Sequence, residues 1–148
     1  MTVCNWVCYN THMEKDGEQF FRDIERAAEE KYKSVGAVQC PYFNEAVHFG
    51  NAGFLHLLYK HERRPRLLKD KLRRFALIDK AISVLKISKT LQEYVVTKEF
   101  VRTSVNSRIE NRLLEMRYYA FIAIIDLSHR IKVVVREIEG GKKHFYSA

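Results

Sequence analysis

The first part of the chain carries apolar residues at the three- and four-residue steps of an amphipathic helix. In residues 13–33 the apolar side consists of Phe20, Phe21, Ile24, Ala27, Ala28 and Tyr32. The same periodicity recurs in a short stretch at 53–62 and in a longer one at 66–86, whose stripe is Leu68, Leu72, Phe75, Ile78, Ile82 and Leu85. The pattern predicts three helices, with 1–12 as a short strand or coil and 35–52 as a connector that includes a short extended piece at 45–49.

Beyond residue 93 the periodicity changes to the two-residue alternation of β-strands. Strand-forming residues fill four stretches, at 94–101, 118–125, 130–138 and 142–147. Between them we predict a polar loop at 102–112, a hairpin-length turn at 126–129 and a glycine turn at 139–141. Connections this short join neighbouring antiparallel strands, so the pattern predicts a meander.

Helices that precede strands along the chain indicate an α+β domain. We expect the helices to pack on one face of an antiparallel sheet of about four strands. With 148 residues the chain has the length of a single domain, 1–148, and can bury a core.

The charge of the chain changes this picture because it is localised. The sequence has 26 Lys and Arg against 18 Asp and Glu, a net charge of +8. Between Lys60 and Arg74 there are eight cations and only two carboxylates, Glu62 and Asp70, so +6 of the net +8 lies in fifteen residues. Charged runs that only solvate a surface usually mix both signs, so this run indicates a surface that binds a polyanion.

Cysteine content and hydropathy exclude several other classes. The three cysteines, Cys4, Cys8 and Cys40, are an odd number without a secretory pattern, which indicates a reducing, cytoplasmic location. Cys4, Cys8 and His12 are spaced for one helical side, but a structural zinc site needs a fourth ligand, so we expect neither metal nor cofactor. The longest apolar run, 118–125, is shorter than the roughly 20 residues that span a bilayer, and no membrane partner is expected.

Histidines beside cations on the short helix indicate the chemistry of RNA cleavage. Cleavage without a metal needs a base for the 2′-hydroxyl, an acid for the leaving 5′-oxygen, and cations for the charge that develops on the phosphate. His56, Lys60 and Arg63 follow a 0, 4, 7 spacing, which places them on one strip of the helix. Imidazole titrates near neutral pH and Arg binds phosphate oxygens bidentately, so the strip is a candidate site. His61 shares the apolar side and is expected to be packed.

The last strand provides the groups expected opposite this strip. On a regular strand Phe145 and Ser147 share one face, and His144 lies on the other. Either His144 or Ser147 therefore faces the site unless the strand bulges, and the sequence leaves this choice open. The cations expected to hold a nucleic-acid backbone are Arg63, Arg64, Arg66, Lys69, Arg73, Lys142 and Lys143.

A basic helix followed by strands that end Ile131-Lys-Val-Val-Val-Arg136 and Gly140-Gly-Lys-Lys-His-Phe-Tyr-Ser147 resembles a known superfamily. It is that of the metal-independent Barnase–EndoU–colicin–RelE ribonucleases, in its phage- and toxin-associated branches. The resemblance implies helices followed by a four-stranded antiparallel sheet. It covers about 45–148, so we interpret 46–148 as a nuclease-like core and 1–45 as an N-terminal extension with one helix.

Carried over residue by residue, the resemblance implies four catalytic positions. They are His56 and Lys60 on the helix and His144 and Ser147 on the last strand. The hypothesis is a cytoplasmic endoribonuclease, the toxin of a toxin–antitoxin or toxin–immunity system, with RNA as substrate and an antitoxin or immunity protein as partner. Two alternatives use the same basic face: a non-catalytic RNA- or DNA-binding module, and an interaction protein for an acidic partner.

Overall fold

The computed structural model describes the backbone of residues 4–148 and the side chains of residues 16–148 apart from Glu62. The chain divides into two compact units, Met1–Ser34 and Val35–Ala148. The second unit begins before residue 45, because the sheet takes up its first strand at Ala37.

The first unit is a helix, α1 (Cys4–Val35). The prediction of strand or coil in 1–12 is wrong from Cys4 onward, since the segment contains no Pro or Gly that would interrupt a helix. Residues 1–3 lie outside the described residues, and so do the side chains of the candidate metal ligands Cys4, Cys8 and His12. The exposed surface of the helix mixes both signs of charge in pairs such as Arg22 with Glu18.

The second unit is an α+β fold, as predicted. Its helices are α2 (Asn51–Leu58) and α3 (Leu68–Ile87), with a 3₁₀ turn at His61–Arg63 between them. Its strands are β1 (Ala37–Cys40), β2 (Glu45–His48), β3 (Glu93–Val105), β4 (Arg108–Ile124), β5 (Arg130–Ile138) and β6 (Lys143–Ser147). No helix in the described part of the chain has both the length and the apolar composition to cross a bilayer.

The strands form one six-stranded sheet in the order β1-β2-β6-β5-β4-β3. The meander from β3 to β6 is antiparallel, which confirms the prediction for this half of the sheet. The sheet is larger than the expected four strands because β1 and β2 extend it beyond β6. Strand β2 pairs with β6 in parallel, since the chain between them passes through both helices and the meander.

The predicted polar loop at 102–112 is wrong. Strands β3 and β4 pair without interruption from Glu93↔Ala120 to Val105↔Arg108 and leave only Asn106 and Ser107 as the turn. Both turn residues have positive φ, of 49° and 65°, as a two-residue hairpin turn requires. The segment reads as a loop because charged residues occupy both faces of this part of the hairpin.

The core lies between the helices and one face of the sheet, here called the core face. This face presents buried Val47, Phe121, Val133, Val135 and Phe145. The helices supply Leu57, Ile78 and Leu85, each essentially inaccessible to solvent. Each such side chain contributes about 1.5–3 kcal/mol of burial. Phe54, Leu57 and Leu58, the apolar side of the short helix, are all buried in this core.

Helix α2 is shorter than predicted because the chain turns back after Leu58. Tyr59 forms an isolated antiparallel bridge with Pro65, and Arg66 donates its main-chain N–H to the carbonyl of Leu58 at 2.9 Å. Residues 59–66, here called the basic loop, are thus a closed loop that carries the first cations of the basic run. The extended backbone of Arg64, which precedes Pro65, is the conformation that a following proline favours.

Candidate functional site

A β-bulge in the last strand places His144 and Ser147 on the same face of the sheet. Val135 pairs with Phe145, but Val134 pairs with Ser147, so Tyr146 is an extra residue on β6. Paired residues share a face of a sheet, so Ser147 lies with Val134 on the face opposite Phe145. His144 is on that same opposite face, because it pairs with Arg136. Because of the bulge, both His144 and Ser147 lie on one face, so alternation along the strand no longer excludes either of them.

Helix α2 and the end of β6 enclose a cleft of about 380 Å³, here called the His56 cleft. Its lining comprises His56, Lys60, His61, Arg66, Arg74, Tyr146 and Ser147. The helix strip and Ser147, predicted on separate elements, are thus brought together. A second depression of about 610 Å³ borders the same helix and is lined by Ala52, Leu55, His56, Tyr59, Lys60 and Arg63. The strip of His56, Lys60 and Arg63 therefore lies along one continuous surface.

The His56 imidazole is held against an aromatic side chain of the last strand. Its ring centroid lies 4.0 Å from that of Tyr146. The Tyr146 ring in turn meets the guanidinium of Arg136 at 5.0 Å and the ring of Tyr118 at 5.3 Å. A cation over an aromatic face is favourable by about 0.5–2 kcal/mol. These contacts fix the position of Tyr146, and through it the wall against which His56 rests.

Two arginines tie the other sides of the cleft to the main chain. Arg66 donates from Nε to the carbonyl oxygen of His56 at 3.1 Å. Arg74, on α3, donates to the main-chain oxygen of Ala148 at 2.7 Å. Each arginine uses only part of its fork of five donors in these bonds, so both retain N–H groups for an anion.

The electrostatics of the cleft favour an anion and a neutral imidazole. Burial lowers the pKa of His56, and the charges of Arg136 and Arg66 lower it further. Burial and the neighbouring Arg66 also lower the pKa of Arg74. No carboxylate is among the described side chains that line the cleft. A phosphate that entered it would meet several cations, while Asp70, which raises the pKa of Arg74, lies in the adjacent depression.

The lowered pKa of His56 predicts the pH dependence of any reaction in which this group acts as a base. Its neutral form persists to a lower pH than that of an ordinary histidine at about 6.5. We expect the limb of kcat/KM that rises with pH, which reports the base, to have an apparent pKa below 6.5. The measurement is a pH–rate profile on an RNA oligonucleotide at constant ionic strength. A rising limb centred above pH 7 would contradict the assignment.

His144 lies outside the His56 cleft, although it is on the same face of the sheet as Ser147. Its ring is 5.7 Å from that of His48, its register partner on β2. Burial lowers its pKa, as do the charges of His48, Arg136 and Lys142. Arg136 is the cation that acts on both His56 and His144.

The predicted backbone-binding cations are dispersed. Arg63, Arg64, Lys69, Arg73 and Lys142 are exposed, and Arg66 is half-buried in the cleft. Arg73 borders a separate depression with Arg74, Arg130 and Lys132.

Lys143, one of the cations predicted to bind a nucleic-acid backbone, forms ion pairs within the protein. Its ammonium lies 3.0 Å from Glu45 and 3.4 Å from Glu137, and over the ring of Phe43 at 5.1 Å. The side chain is only 13% exposed. Because Lys143 alternates with His144 along β6, it faces the core side of the sheet and serves there as an ion-pair partner.

The expectation that His61 is packed is wrong. It lies in the 3₁₀ turn after α2, where it is exposed and lines the His56 cleft. The helical stripe that placed it beside Leu57 ends before it. Sequence reasoning also missed Arg74, Arg136 and the packing of Tyr146 on His56. Arg74 lay within the basic run, but its use depends on the packing of α3 against the end of β6.

Comparison with family models, with curated proteins and with solved structures finds no significant match for this chain. The described side chains include no group of three or more His, Cys, Asp or Glu arranged as metal ligands.

Proposed function

We propose that the protein is a metal-independent endoribonuclease whose active site is the His56 cleft. The observation that carries this proposal is a half-buried imidazole with a lowered pKa in a cleft lined by Lys60, Arg66 and Arg74. A neutral imidazole serves as a base, and cations serve a phosphate whose charge increases in the transition state.

His56 accepts the proton of a ribose 2′-hydroxyl, and the 2′-oxygen attacks the adjacent phosphorus. The bond from phosphorus to the 5′-oxygen breaks, and the leaving oxygen takes up a proton. The products are a 2′,3′-cyclic phosphate and a 5′-hydroxyl. Lys60, Arg66 and Arg74 stabilise the added negative charge on the phosphoryl oxygens. His61, the second imidazole of the cleft, is the donor for the leaving oxygen, since it lines the cleft beside His56 and imidazole can serve as a general acid.

Exposed cations around the cleft would bind the rest of the RNA strand. Arg63 and Arg64 extend the positive surface from the cleft along the basic loop, and Lys69 follows at the start of α3. Such contacts act through phosphates and therefore confer affinity without sequence preference.

The proposed setting is a toxin system in the cytoplasm. An RNA-degrading enzyme must be restrained in the cell that makes it. The proposed partner is an antitoxin or immunity protein whose acidic surface covers the His56 cleft, because this surface is strongly positive and lacks carboxylates among its described lining residues.

Incubation of the purified protein with an RNA oligonucleotide in EDTA tests the proposal. We expect cleavage to fragments with 2′,3′-cyclic phosphate ends, and no cleavage of DNA of the same sequence, which lacks the attacking 2′-hydroxyl. DNA binding should persist and should weaken as salt increases, because cation–phosphate contacts release counterions. Salt-sensitive binding without cleavage of RNA would instead identify a nucleic-acid-binding module. No binding at low salt would contradict both functions.

A further inference from the structure

Strand β3 forms one edge of the sheet and, within the described part of the chain, pairs on one side only. It has 13 residues and is bonded to β4 along its whole length. Strand β5 supports β4 only from Met116 onward, so residues 98–115 project as a two-stranded arm. Within the arm, exposed fractions are 77% for Phe100, 73% for Ile109 and 51% for Leu113. A two-stranded ribbon is marginally stable in water, and a long unpaired edge is a template for another strand.

The turn fixes which main-chain groups of β3 are free. A two-residue hairpin turn is closed by a hydrogen-bonded pair, here Val105 with Arg108. Hydrogen-bonded pairs then alternate back along the strand, so the odd-numbered residues of β3 bond to β4. The even-numbered residues, from Tyr94 to Ser104, direct their N–H and C=O groups away from the sheet. The outer edge therefore offers six regularly spaced residues for pairing.

We propose that β3 pairs antiparallel with β3 of a second copy of this chain, about a two-fold axis at Lys98. In this register Val96 faces Phe100 of the other copy, Val95 faces Val101, and Tyr94 faces Arg102. The apolar pairs join exposed Val95, Val96 and Phe100 and half-buried Val101, and the Tyr–Arg pairs are cation–π contacts. Each contact occurs twice because the interface is two-fold symmetric.

The two registers displaced toward the turn are less favourable. An axis at Phe100 would place Lys98 opposite Arg102 twice, and an axis at Glu99 would place two glutamates opposite each other. In the chosen register the two Lys98 side chains meet on the axis, but each already faces Glu115 of its own hairpin. Across the four strands, β4 and β3 of each copy, the residues in this row are then Glu115, Lys98, Lys98 and Glu115. This self-complementarity makes a second copy the partner that fits the edge.

The pairing would join two six-stranded sheets into one of twelve strands. The end of β6 that borders the His56 cleft is separated from β3 by β5 and β4. The dimer therefore leaves both clefts accessible, and its test is independent of any enzymatic activity.

Sedimentation velocity over a range of concentrations tests the proposal with the full chain. We expect a species of twice the 17.5 kDa chain mass. Val96→Lys should weaken association at least tenfold, because it adds two cations beside the Lys98 pair. The matched control is Ile124→Lys, an exposed strand residue outside the register that should leave the dimer intact. A monomer at every concentration, or a dimer equally resistant to both substitutions, would overturn the proposal.

A disulfide trap tests the register. In a Cys4→Ser, Cys8→Ser background, Lys98→Cys should form an intermolecular disulfide on mild oxidation, because directly opposed residues lie about 5.5 Å apart between Cα atoms. Arg102→Cys should not, since the two positions 102 would be eight residues apart along the strand, about 27 Å. Equal cross-linking at both positions, or none at Lys98→Cys, would refute this register.

Discussion

Replacing His56 by alanine is expected to lower the rate of RNA cleavage by about 10²- to 10⁴-fold, the usual contribution of a general base. Affinity for a non-cleavable DNA strand should change by less than about twofold, because the cations of the cleft remain. The reason lies in the environment of the ring: half-buried, against Tyr146, with a pKa lowered by burial and by Arg136 and Arg66. The measurements are single-turnover cleavage in EDTA and fluorescence anisotropy with labelled DNA.

His129→Ala is the matched control for this substitution. His129 is an exposed imidazole in the β4–β5 turn, hydrogen-bonded to Asp126 and outside the described lining of the cleft. Its replacement should leave cleavage unchanged. If both variants lose cleavage equally, or if His56→Ala retains it, His56 is not the base. Thermal unfolding of both variants separates a catalytic effect from loss of the fold.

Replacing Lys143 by alanine is expected to destabilise the protein by about 3 kcal/mol. Glu137, whose side chain is 5% exposed, has Lys143 at 3.4 Å, Arg117 at 3.6 Å and the Tyr119 hydroxyl at 3.1 Å as partners. Removing the ammonium leaves the buried Glu137 carboxylate with Arg117 and the Tyr119 hydroxyl but without its lysine partner. Urea denaturation, read as the change in midpoint at constant slope, measures the effect.

Lys142→Ala provides the comparison at the adjacent residue. Lys142 is exposed, and its replacement should change stability by less than about 0.5 kcal/mol. Equal midpoints for the two variants would show that the Lys143 ion pairs contribute no net stability. If Lys142 contacts the RNA, Lys142→Ala should weaken RNA binding more than Lys143→Ala does.

The Lys143 contribution also has a defined pH dependence. Burial lowers the pKa of this lysine, but the hydrogen bond to Glu45 and the charge of Glu137 outweigh it, so the pKa is raised above 10.5. A raised folded-state pKa means that the stabilisation is fully present below the unfolded value and is lost as pH rises through the folded value. The difference in stability between wild type and Lys143→Ala should therefore be constant at neutral pH and shrink only in strong alkali.

Local periodicity was sufficient to predict most elements of the sheet unit. The strand predicted at 130–138 has the bounds of β5, because the alternation of Ile131, Val133 and Val135 with polar residues is regular and one-sided. The two-stranded arm was predicted as a loop at 102–112. No third strand covers the arm, so its residues need not alternate between apolar and polar, and the strand pattern is lost there. Strand β1 was missed because its four residues are too few to show a period.

Half of the site could be anticipated in the same way. The 0, 4, 7 spacing places His56, Lys60 and Arg63 along one surface even though the helix ends at Leu58. The remaining groups depend on contacts between distant segments. Arg74 reaches the cleft by bonding to Ala148, and Ser147 shares a face with His144 through a change of register that no spacing within β6 reveals.

The bulge at Tyr146 has a consequence for which changes this strand can tolerate. Upstream of it, Phe145 fills the core, and downstream Ser147 lines the cleft on the other side of the sheet. Because these two residues face opposite sides of the sheet, a substitution that changes the chemistry of the cleft at Ser147 need not disturb the packing of the core around Phe145. Deleting Tyr146 would restore strict alternation and leave Ser147 opposite Val134 on the cleft side of the sheet, but it would remove the ring against which His56 rests. The extra residue of β6 should thus be dispensable for the sheet and required for the cleft.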